Sequence, residues 1–183
     1  MKKSKELQKL VLASSLVAIS IVIDVFFKQI LSFNNFGVPF YAIPIIYGSI
    51  ILGPLYGLIM GYVSDLVGFV AFPNGAYAFI FALGAMLWGF IPGLFLYKKF
   101  DKVKLVIVVA ITHILVTIAN TIGLLAFLSV ETALASLTIR LAMIPVNVVI
   151  ITLLVSSLYQ KLLPVLVDMQ IKNSNELKES KSI

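Results

Sequence analysis

The stretch that decides the fold is Gly53-Pro54-Leu55-Tyr56-Gly57-Leu58-Ile59-Met60-Gly61-Tyr62-Val63-Ser64-Asp65-Leu66-Val67-Gly68-Phe69. Gly53, Gly57 and Gly61 recur every fourth residue, so a helix would carry them as one smooth ridge. In lipid, helices associate by packing rather than by release of water, and small-residue ridges let them approach closely. Ser64 and Gly68 lengthen this face. Asp65 sets a carboxylate inside an otherwise apolar segment, at a cost of about 2.5–3.5 kcal/mol, so it should face protein or a wet cavity. The stretch reads as a transmembrane helix that helps to form a solute pocket.

The rest of the chain agrees. Of 183 residues, 61% are hydrophobic and only 12% charged, and mean hydropathy is +1.09. These values call for several membrane spans and exclude an ordinary soluble core. With no cysteine, disulfides, thiolate metal sites and a cysteine nucleophile are excluded. The net charge of +6 is not a nucleic-acid footprint, because its cations lie at span ends. No nucleic-acid partner is expected. Lys2, Lys3, Lys5 and Lys9 precede an apolar run long enough to remain as a span rather than a cleaved signal.

Hydropathy divides the chain into an all-α, six-transmembrane-helix bundle over residues 1–164 and a polar cytoplasmic tail, 165–183. The expected spans are Leu7 to Phe27, a short one from Ala42 to Leu52, Leu55 to Phe72, Ala76 to Tyr97, Leu105 to Leu128 and Leu137 to Leu163. Asp24 and Lys28 are spaced to pair at the end of the first span. A loop around Glu131 separates the last two spans. With six spans both termini share one side, which receives twelve lysines, against Lys28 and Arg140 on the other. That bias places the termini in the cytoplasm.

Counted from the outer ends, Asp65, Trp88, Asn120 and Asn147 then fall at a common depth of roughly 12–18 Å, with Arg140 and Lys28 nearer the mouth. Polar and aromatic groups converging at one level describe an outward-facing solute pocket with cations at its rim. The plainer readings are an ion pair for Asp65, interhelical hydrogen bonds for Asn120 and Asn147, bundle packing for Trp88 and snorkelling for Arg140. His113 reads as structural rather than as a proton relay. No phosphate-binding loop, zinc-protease motif or nucleophile elbow occurs, so no enzyme, cofactor or metal is expected.

The order of Ile43-Pro44, Leu52-Gly53-Pro54-Leu55-Tyr56-Gly57, Gly61, Asp65-Leu66-Val67-Gly68 and Phe72-Pro73-Asn74-Gly75-Ala76-Tyr77 carries a family resemblance. Gly89-Phe90-Ile91-Pro92-Gly93 and Arg140-Leu141-Ala142-Met143-Ile144-Pro145-Val146-Asn147 extend it. The chain resembles the substrate-binding S components of energy-coupling factor (ECF) vitamin transporters, most closely the folate-type branch. The resemblance implies a six-helix subunit that captures a vitamin from outside and topples in the bilayer. It implies docking on a transmembrane coupling subunit that is itself bound to two ATPases. It places ligand at the outer loops, adding Asn34, Asn35, Asn74 and Tyr77 to Asp65, Trp88, Asn120, Arg140 and Asn147, and docking at Ala13, Ser14 and Ala18.

Two departures from the folate-type pattern fall where ligand is expected. Asn34 and Asn35 stand where an arginine is usual, and Ala78-Phe79-Ile80-Phe81 replaces a Pro-Gly-Phe-Thr stretch. These departures leave pantothenate and hydroxymethylpyrimidine as alternatives, while Arg140 and Lys28 at the mouth favour folate or a related carboxylated vitamin as the expected ligand. A stand-alone proton-coupled secondary transporter is the alternative mechanism.

Overall fold

A computed structural model describes residues 2–27, 38–73, 77–97 and 99–168. Among these residues the chain is entirely helical: α1 Lys2–Val25, α2 Ala42–Leu52, α3 Pro54–Ala71, α4 Phe79–Leu96, α5 Lys102–Phe127 and α6 Val130–Asp168. Five of the six are long and apolar enough to cross a membrane; α2 is shorter. The expected membrane bundle is therefore the observed one.

The short helix is the centre of the molecule. All eleven residues of α2 are buried, against α1, α3, α4 and α6. A helix apolar on every side has no face to offer water, and here its neighbours cover it all round. Of its two side-chain hydroxyls, that of Ser49 returns to Ile46 O at 2.8 Å, and that of Tyr47 has no hydrogen-bond partner among the described residues. At 1.5 Å per residue α2 spans only about 17 Å, which a core helix tolerates because it does not have to match the bilayer.

Gly53 is not part of the helical ridge but the reversal between α2 and α3. Its φ of +109° and ψ of 169° lie in a region essentially reserved for glycine. Pro54 then opens α3, where its missing N–H costs nothing. From there the ridge docks on α4. A Cβ at Gly57 would strike Gly89 O, and one at Gly61 would strike Ala85 O. One at Gly93 would lie 2.7 Å from Pro54 Cα. The two helices thus meet backbone to backbone.

Ser64, one turn beyond Gly61, turns to α1. Its hydroxyl and that of Ser20 are 2.8 Å apart, and Ser20 donates to Tyr41 O, also at 2.8 Å. Since each serine has one proton, Ser64 donates to Ser20, and the chain Ser64–Ser20–Tyr41 ties α3, α1 and the start of α2 together.

Several boundaries differ from the expected ones, among them three at α4 and α6. α4 begins at Phe79, not Ala76. α6 begins at Val130 rather than Leu137, because Ser129 caps it: Thr132 N donates to Ser129 Oγ at 3.3 Å, and Glu131 sits favourably in the first turn. A hydropathy window counts Glu131 as loop, whereas helix-start chemistry welcomes it. α6 also continues through Pro164 to Asp168, so only the remainder of the 165–183 tail lies outside the described residues.

Candidate functional site

A partly open cavity of about 280 Å³ lies at the end of the bundle where α1 finishes and α2 begins. Each helix supplies its wall through a simple periodicity. α5 contributes His113, Val116, Thr117 and Asn120, spaced i, i+3, i+4 and i+7 on one face. α1 contributes Ile23 and Asp24, and the π turn that continues it at Phe26 and Phe27 contributes Phe27. α4 supplies Phe81 and Trp88, α3 Asp65 and α6 Arg140, and the approach to α2 supplies Val38 to Tyr41.

Small residues behind this wall make room for larger ones. A Cβ at Gly84 would come within 3.2 Å of Asn120 Oδ1, and one at Gly123 within 2.9 Å of the Phe81 ring. Phe27 stacks on Phe40, with ring centres 4.3 Å apart. Trp88 is only 1% exposed and meets His113 edge to face at 5.5 Å. Its indole N–H has no hydrogen-bond partner among the described residues. A buried unpaired donor costs about 1–3 kcal/mol, so this N–H is a standing invitation to an acceptor.

The charges are of both signs. Arg140 donates from Nε to Ser136 Oγ at 3.0 Å, one turn earlier, which fixes its guanidinium at the wall. Asp24 and Asp65 line the same cavity. Tyr77 donates to Asp65 Oδ2 at 3.1 Å; burial and the adjacent carboxylate push this phenol up to about 12, so it remains a donor at any physiological pH.

The structure thus brings four of the expected residues, Asp65, Trp88, Asn120 and Arg140, to one cavity. Tyr77 stands beside it, holding Asp65. Asn147 is fully buried and does not line the cavity; its Nδ2 lies 2.8 Å from His113 Nε2. Asn34, Asn35, Asn74 and Lys28 lie outside the described residues. On α1, Ser14 and Ala18 are exposed, whereas Ala13, 8% exposed, packs into the core.

Sequence reasoning missed Asp24, Tyr41, His113 and Thr117 as wall residues. Heptad spacing back from Asn120 would have found Thr117 and His113.

The family model for the ECF transporter, substrate-specific component, matches residues 8–173. The chain belongs to that family. Such an S component is a transporter part, not an enzyme. The chain is also 36% identical over 112 residues to a protein of Clostridium novyi (strain NT) named folate transporter FolT. That match covers 59% of this chain and 65% of the relative. No solved structure gives a significant match.

Proposed function

We propose that this S component captures a folate-like vitamin from the outer face of a bacterial cell membrane for ATP-driven uptake. A transmembrane coupling subunit and two ATPases would complete the transporter. The observation that carries the reading is the composition of the cavity wall. Aromatic rings of Phe27, Phe40, Phe81 and Trp88 suit a flat heteroaromatic system, Arg140 suits a carboxylate, and Asp24 and Asp65 suit the N–H donors of an amino-heterocycle. A folate carries all three features. The FolT name of the relative points the same way.

The lysine bias supports cytoplasmic termini, which turns the cavity mouth outward. Ser14 and Ala18 form an exposed small-residue patch on α1, suited to close docking of a coupling-subunit helix. Ala13 supports that helix from within.

Thermal unfolding of the purified chain tests the substrate. Ligand that binds only the folded state stabilises it by about 2.7 kcal/mol at one hundred times its dissociation constant. Folic acid should raise the melting midpoint, and pantothenate should not. A shift with pantothenate alone, or gradient-driven uptake by this chain without ATPase subunits, contradicts the proposal.

A further inference from the structure

One side of the cavity wall is two layers deep. His113 of α5 lines the cavity, and both of its ring nitrogens are engaged. Nδ1 lies 3.3 Å from Thr117 Oγ1, one turn along the same helix. Nε2 lies 2.8 Å from Nδ2 of Asn147 on α6. Asn147 has no exposed surface and stands behind His113, away from the cavity lining.

An amide nitrogen can only donate, so Nε2 receives that bond on its lone pair. The ring proton is then on Nδ1, directed at the Thr117 hydroxyl. A ring held at both nitrogens cannot turn, and it presents itself edge to face with Trp88, at 83° between planes.

We infer that Asn147 is a positioning residue of the binding site: through Nε2 it fixes the tautomer and the plane of His113, and so shapes the corner that His113 forms with Trp88. This rests on the cavity being the ligand site. With both nitrogens spent, His113 offers a ligand an uncharged carbon edge. The His113–Trp88 corner therefore receives the neutral, flat end of the ligand, while the carboxylate end goes to Arg140. The arrangement parallels metal sites, where a partner behind a histidine sets its tautomer and orientation.

His113 is the sole histidine of the chain, so labelling histidine with ¹⁵N reports one ring. In the full-length protein in detergent, the expected spectrum has a pyrrole-type Nδ1 and a pyridine-type Nε2, both before and after addition of folic acid. A wild-type spectrum with the proton on Nε2, or with both nitrogens protonated, overturns the inference without any variant. Asn147→Asp, whose ionised carboxylate can only accept, should move a proton to Nε2 and weaken folic acid at least tenfold.

A double-mutant cycle separates positioning from plain packing. Asn147→Leu should weaken folic acid about tenfold in the wild-type background and less than twofold beside His113→Phe, which keeps an aromatic edge but needs no partner. Equal losses in both backgrounds contradict a role exerted through His113. If the wild type shows the expected spectrum but binds no folic acid, the ring assignment stands and the folate reading falls.

Discussion

The seam between α3 and α4 and the wall formed by α5 and α6 lie in the same bundle but are built on opposite terms. At the seam, Gly57 and Gly89 face each other so closely that a Cβ on either would strike the other's backbone. Along the wall, α5 and α6 bury Thr112, His113, Thr117, Asn120, Asn147, Thr152 and Ser156. In lipid neither region gains much from excluding water, so the first is held by contact area, while the second carries a directed hydrogen bond between helices, Asn147 to His113. The seam should therefore be sensitive to volume and indifferent to ligand chemistry, and the wall should be the reverse.

The largest effect expected is on the wall. Arg140→Ala should cost about 2–5 kcal/mol of folic acid affinity, since it leaves a carboxylate unpaired in a partly desolvated site. Pterin, which lacks the carboxylates, should lose little. Calorimetric titration of both compounds checks this, and an equal loss would erase the distinction between the ends of the cavity. Melting of the ligand-free variant should stay near wild type.

Gly89→Ala tests the other region. Its added methyl meets Gly57 backbone, which cannot move aside as a flexible side chain would. Overpacking of this kind costs about 1–3 kcal/mol, read as a lowered melting midpoint with or without ligand. If stability is unchanged while ligand affinity falls, the seam is part of the recognition site and the contrast fails.

The smallest change should fall between the two. Trp88→Phe removes an N–H that has no partner among the described residues. Ligand-free stability should be unchanged or slightly raised, while folic acid should weaken by about 0.5–1.5 kcal/mol, the net value of one hydrogen bond. Melting and titration on one preparation would show the opposite signs.

The seam was legible in the sequence because small residues four apart have one obvious use in lipid, and Gly53-Pro54 was legible as a tight reversal because proline suits the first position of a helix. Depth counting also put Asp65, Trp88 and Asn120 at one level with Arg140 above them, since helical rise is uniform, and all four line the cavity. It failed for Asn147, which shares their level but not their direction; depth fixes height along a helix, and only packing fixes which face turns inward. Asp24 was hidden by an apparent partner four residues on. His113 was judged by its side of the membrane, whereas its membership of the Asn120 stripe decides its exposure. The α6 start was obscured by Glu131, whose charge lowers hydropathy and strengthens the helix end.

Trp88 is the sole tryptophan of the chain, which makes one measurement decisive for the claim that this cavity holds the ligand. Tryptophan emission is followed while folic acid is added to the purified wild-type protein, with free N-acetyltryptophanamide correcting for absorbed light. A ligand in the cavity touches the Trp88 wall, so emission should change saturably, with the same midpoint as calorimetry and a stoichiometry near one. Folic acid that binds by calorimetry yet leaves the corrected emission untouched would place the ligand elsewhere and contradict the account.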